Sequence, residues 1–93
     1  MIKEIRRTGQ FKKDFKKAIK SRCRESDFVE VLKYLVNQEP LPDKYRDHRL
    51  TDSKNYQNVR ECHIWPDWLL VYRIQTDELI LELIRTGSHS ELF

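Results

Sequence analysis

Glycine, proline and long apolar runs are scarce in this 93-residue chain. The two glycines, Gly9 and Gly87, lie outside any Gly-rich loop, which excludes the phosphate cradles built on such loops. The longest uninterrupted apolar run, Trp68 to Tyr72, is far too short to span a bilayer, so no membrane partner is expected. The start, Met1-Ile2-Lys3-Glu4-Ile5-Arg6-Arg7, lacks the apolar block of a secretory signal, which makes the cytoplasm the expected compartment. Two cysteines, Cys23 in a helical pattern and Cys62 in a strand-like one, fit buried free thiols better than a disulfide framework. Zinc is disfavoured as well. Cys62 and His63 are adjacent in a strand and point to opposite faces, and no C-x-x-C or H-x-x-x-H pair exists, so no metal or other cofactor is expected.

Cationic side chains, in contrast, are abundant and clustered. Residues 1–24 hold ten Lys or Arg against two acids, a net +8, and the remainder holds eight against thirteen, a net −5. Such clustering is the footprint of a polyanionic or acidic partner, weighed against the plain solvated face that Lys-rich helices usually present. The length allows one domain over residues 1–93, able to bury roughly two thirds of its unfolded surface.

Periodicity divides that domain into six elements. Ile2 to Arg7 reads as a short strand, and Thr8 can cap a helix running from Gly9 to about Ser21 on the stripe Phe11, Phe15, Ala18 and Ile19. Lys12, Lys13, Lys16, Lys17 and Lys20 fill the opposite circumference. Ser26 and Asp27 suggest the start of a second helix with Phe28, Leu32, Leu35 and Val36 on its apolar stripe, stopped by Pro40 and Pro42. After an extended charged segment and a polar loop over Thr51 to Asn58, three strands are expected at Val59–Ile64, Trp68–Ile74 and Leu79–Arg85, followed by a short tail beyond Gly87. The order β-α-α-β-β-β predicts an α+β fold: a helical hairpin on one face of a small, mainly antiparallel four-stranded sheet. Trp68 to Tyr72, apolar on both faces, should be central.

Arg60 to Tyr72 sets His63 and Asp67 about a Pro66-marked corner, with His63 facing away from Cys62 and Ile64. A corner hydrogen bond would explain that pair by itself. Taken with His48, Arg85 and His89, the shared chemistry is acid, base and anion stabilisation around a phosphate, which is what RNA cleavage requires. No Ser or Cys nucleophile signature competes.

Ordered along the chain, Pro40-Leu41-Pro42, Lys44-Tyr45-Arg46-Asp47-His48, Arg60-Glu61-Cys62-His63, Pro66-Asp67-Trp68-Leu69-Leu70-Val71-Tyr72 and Arg85-Thr86-Gly87-Ser88-His89-Ser90-Glu91-Leu92-Phe93 resemble the RelE/ParE superfamily of bacterial toxins, within it the YafQ branch. The resemblance implies a RelE-like fold and a ribosome-dependent mRNA interferase restrained by a cognate antitoxin. It implies that His48, His63, Asp67 and His89 form the acid/base group, that Arg85 binds phosphate, and that Phe93 meets the substrate. Arg60 and Lys44, cations inside the matching segments, are assigned to substrate binding with Phe93. The five lysines of the first helix are expected to contact rRNA or the antitoxin. Two other readings stay open: a non-catalytic, ParE-like toxin that binds a protein target, and a basic RNA-binding module without chemistry.

Overall fold

A computed structural model describes residues 1–50 and 59–93; the loop expected over Thr51 to Asn58 lies outside the described residues. Strand β1 (Glu4–Arg7) leads into helix α1 (Gly9–Lys20), where the Thr8 hydroxyl accepts the Phe11 N–H at 2.9 Å. That hydroxyl also donates to the Ile84 carbonyl at 2.7 Å, so one side chain both starts the helix and pins it to a distant strand. The reversal after α1 uses no glycine. Arg22 adopts φ 71, and the Cys23 N–H reaches back to the Ala18 carbonyl at 3.1 Å.

This compact reversal starts helix α2 (Glu25–Val36) earlier than the Ser26 cap expected from sequence. Arg24 precedes the first turn with no side-chain cap, Ser26 lies inside the helix, and Glu25 and Asp27 complement the helix dipole. Nor do the prolines stop α2. Gln38 turns at φ 55 while the Glu39 N–H bonds the Tyr34 carbonyl at 2.9 Å, so the helix has ended before Pro40. The following charged segment contains a 3₁₀ turn, Asp43–Tyr45, and a two-residue strand β2, His48–Arg49.

Strands β3 (Arg60–Trp65), β4 (Trp68–Gln75) and β5 (Ile80–Gly87) form the expected antiparallel meander. Among the described residues the sheet has five strands rather than four, in the order β1-β5-β4-β3-β2. β1 takes one edge, parallel to β5, and β2 the other, paired through His48 with Glu61 and Arg49 with Arg60. The α+β class holds. The extra strand rests on backbone hydrogen bonding of a charged, two-residue segment, which no side-chain alternation announces.

β4 is central, as its double-sided apolarity requires. Trp68, Leu70 and Tyr72 join Cys62, Ile64, Leu81 and Leu83 beneath Phe11, Phe28, Val31 and Leu35 of the helical hairpin. On the opposite face Leu69 and Val71 pack with Val59 and Leu92. Leu92 belongs to a third helix, α3 (His89–Leu92), where a plain tail was expected. Its cause is local: Ser88 and Glu91 form a reciprocal capping box. Gly87 extends β5 rather than breaking it, with φ 155, and a Cβ there would meet Glu91 Oε1 at 3.2 Å. Both cysteines are free; Cys62 is buried as expected, and Cys23 is half-buried. Among the described residues no helix is long and apolar enough to cross a membrane.

Candidate active site

Register fixes the first half of the site. His48 pairs with Glu61 across β2 and β3, and Glu61 and His63, two residues apart on β3, project to the same face. Glu61 is only 4% exposed, and its Oε1 lies 3.6 Å from His48 Nε2 and 3.4 Å from His63 Nε2. The two imidazole centroids are 6.2 Å apart. Each Nδ1 faces a carbonyl, of Arg46 at 2.7 Å and of Pro66 at 3.1 Å. Every ring nitrogen therefore looks at an acceptor, and a buried carboxylate joins two groups able to take up or release a proton.

The turn after β3 supplies the second half. Asp67 Oδ1 accepts the His89 N–H at 3.0 Å, which docks the start of α3 on the β3–β4 corner. Within α3 the His89 ring lies 5.5 Å from that of Phe93. The Leu69–Gly87 pairing of β4 and β5 brings these two corners together.

Arg85 does not stand on the open face beside His63 but turns towards α1. A register shift in the β4–β5 ladder sets Val71 opposite Arg85 and Tyr72 opposite Leu83. The Arg85 guanidinium donates to Asp14 of α1 at 3.0 and 3.1 Å, and Asp14 also accepts the Thr86 N–H at 3.3 Å and a Gln10 N–H at 2.9 Å. Burial pushes the Asp14 carboxyl up, but the Arg85, Gln10 and Thr86 hydrogen bonds outweigh it and hold the group below its usual range. Arg85, Asp67, Lys13 and Lys17 line one cleft of about 540 Å³ between α1, β5 and α3. Lys17 closes its rim on Glu91 at 2.6 Å, and this hydrogen bond, with those at Ser88, holds the Glu91 carboxyl down at about 2.

The remaining assigned residues are spread around these two halves. Arg60 grips Asp47 at 2.8 to 3.3 Å, Asp47 also accepts the Tyr72 hydroxyl, and the Asp47 hydrogen bond raises the Arg60 pKa. Lys44 Nζ lies 5.0 Å from the Tyr45 ring centroid. Lys12, Lys13, Lys16 and Lys20 are exposed along α1. Among the described residues no three His, Cys, Asp or Glu side chains are gathered so as to hold a metal ion. Two site residues escaped the sequence reading, though both left a signal. Glu61 is the i−2 neighbour of His63 in a strand, and Asp14 interrupts a cationic helix on the same stripe as Phe11, Phe15 and Ala18.

Residues 3–93 match the family model of the bacterial toxin of type II toxin–antitoxin systems, YafQ. This chain belongs to the YafQ family. It is 43% identical, over 98% of its length and 96% of the relative's, to the mRNA interferase toxin YafQ of Escherichia coli (strain B / BL21-DE3). Among solved structures, a metal-bound toxin from Helicobacter pylori superposes with a TM-score of 0.90 at 40% identity, covering 100% of both chains. The E. coli DinJ–YafQ complex superposes with 0.87 at 36% identity, covering 100% of this chain and 99% of that one.

Proposed function

We propose that this YafQ-family chain is an endoribonuclease toxin that enters the ribosomal A site in the cytoplasm, cuts translated mRNA, and is neutralised by a cognate antitoxin. The observation that carries the reading is the His48–Glu61–His63 group on the open sheet face, beside the Asp67–His89 contact. An imidazole removes the 2′-OH proton, the 2′ oxygen attacks phosphorus, and the P–O5′ bond breaks as a second group protonates the leaving 5′ oxygen. The products are a 2′,3′-cyclic phosphate and a 5′-hydroxyl. Asp67 orients the His89 segment, Arg85 offers its charge to the phosphate from the adjoining cleft that Asp67 also lines, and Phe93 offers a ring to a base. Glu61 receives or returns the proton held between His48 and His63. These side chains provide acid, base and cation, so the reaction needs no metal.

The E. coli relative is an mRNA interferase toxin by name, and the DinJ–YafQ complex is a toxin bound to its antitoxin; both support the reading. The exposed lysines of α1 suit the phosphates of rRNA or an acidic antitoxin segment. The test is single-turnover cleavage of ribosome-bound message by His63→Ala and His89→Ala variants with native melting. Removal of an acid/base group should slow cleavage by roughly 10² to 10⁴. Near-wild-type rates in both variants would overturn the mechanism.

A further inference from the structure

A second concavity of about 930 Å³ opens beyond His63, between α2, the 3₁₀ turn and the β3–β4 corner. Its volume lies in the roughly 300–1,000 Å³ range of small-molecule clefts. Of the proposed acid/base groups, His63 borders it. Tyr45 and Trp65 form its aromatic wall, with Tyr34 of α2 packed 6.3 Å from Tyr45 between ring centroids. Trp65 is held in place on two sides: its indole N–H donates to Asp27 at 2.8 Å, and its ring meets Trp68 edge-on at 5.3 Å. Such a wall is ready to receive a flat ring without first being ordered.

Two cations border this wall. Lys44 leans over Tyr45, and Arg46 leaves the 3₁₀ turn in the left-handed region at φ 47. The Arg46 carbonyl receives His48 Nδ1 at 2.7 Å, so its backbone is anchored beside the candidate site. Its exposed guanidinium makes no hydrogen bond or ion pair among the described residues. The α2 wall carries acids instead: Asp27, occupied by Trp65, and exposed Glu30. A phosphate is therefore favoured beside Lys44 and Arg46 rather than along α2. A carboxylate on the α2 side suits a base edge that donates an N–H₂.

We propose that this groove, bordered by His63, seats the mRNA nucleotide next to the scissile one. Arg46 and Lys44 hold its phosphate, Trp65 and Tyr34 face its base, and Glu30 accepts from an exocyclic amine. The assignment rests on the endoribonuclease reading above and extends it to substrate choice. Aromatic faces combined with a cationic strip are the recurrent means of holding single-stranded RNA.

The first arm of the test does not depend on cleavage. Ribosomes carrying a message with 2′-deoxy nucleotides and 5-iodouridine in the A site are irradiated with wild-type toxin, and the crosslinked peptide is mapped. Crosslinks at Trp65 or Tyr34 are expected; crosslinks confined to other surfaces overturn the groove. The second arm follows cleavage of natural message by Arg46→Gln and Arg46→Lys variants. The toxin concentration for half-maximal rate should rise about tenfold in Arg46→Gln, the size of one charge-assisted contact, with the saturated rate kept and the salt slope reduced by about one. Arg46→Lys should restore most of the affinity, and Glu30→Gln should shift cleavage towards messages with uracil beside the cut. An equal drop in saturated rate, or no change at any concentration, overturns the assignment. So does weakened antitoxin binding with RNA crosslinks and half-saturation unaltered, which would give the groove to a protein partner. Crosslinks at Trp65 without any cleavage by wild type would instead uphold the groove and overturn the nuclease reading.

Discussion

On the β2–β3 side of the sheet, the Glu61 carboxylate stands 3.4 and 3.6 Å from two imidazole nitrogens. On the α1–β5 side, the Asp14 carboxylate takes two guanidinium N–H bonds at 3.0 and 3.1 Å, a backbone N–H and an amide N–H. Both carboxylates are buried or nearly so, and each faces cationic or potentially cationic groups. Asp14 is paired with an arginine that never gives up its proton, and every contact there fixes a charge in place. Glu61 instead faces two imidazole nitrogens, of His48 and His63. One carboxylate therefore holds a fixed charge, while the other stands between two imidazoles, and the reading proposed above uses both.

The largest break in this contrast is expected from Glu61→Gln, which keeps shape and removes charge. Single-turnover cleavage should fall by up to roughly 10⁴-fold, as when the acid orienting a catalytic histidine loses its charge, and the pH–rate profile should change form. An unaltered pH profile would make Glu61 a packing group. Asp14→Asn should act on stability instead. Loss of the Arg85 pair should cost about 1–3 kcal/mol, less than the full penalty of a deeply buried pair because Arg85 is partly exposed. The sign with pH follows from the depressed Asp14 pKa. Its contribution is fully present above the ordinary value of 3.8 and is lost as pH falls through the lower folded value. Denaturant melts should therefore show the wild-type advantage at neutral pH shrinking only below about pH 4, and a constant difference across that range would place the effect elsewhere.

Reversal of Lys12, Lys13 and Lys16 leaves the Lys17–Glu91 pair intact and so separates diffuse charge from fixed charge. Ribosome association should weaken and its salt dependence should flatten by up to about three contacts, with cleavage at saturation kept. Equal salt slopes would reduce the cationic face to a solvated surface. The smallest effect is expected from Gln38→Gly. A left-handed residue at the end of α2 gains from losing its Cβ, so the midpoint of thermal unfolding should rise by the equivalent of about 0.5–1 kcal/mol without change in activity. A drop would show that the Gln38 side chain contributes more than its backbone costs.

What could be read in advance follows distance along the chain. The stripe Phe11, Phe15 and Ala18, the Thr8 cap and the double-sided run Trp68–Tyr72 were legible because helix and strand periods are properties of a few neighbouring residues. The Ser88–Glu91 capping box is equally local, and α3 went unread only because a four-residue helix leaves no apolar period to notice. Helix ends were misplaced where Arg22 and Gln38 took conformations that the scarcity of glycine concealed.

By itself, the amino-acid order determined two amphipathic helices, a three-strand meander, the cationic first quarter and the family motifs, since each is encoded within a window of local spacing. Only the tertiary structure decided that β1 runs parallel to β5, that His48 lies across from Glu61, and that Arg85 turns to Asp14. Those pairings join residues as far apart as 71 positions for Arg85 and Asp14 and 76 for Glu4 and Ile80. They are selected by burial and hydrogen-bond satisfaction in the assembled core, which no local pattern contains.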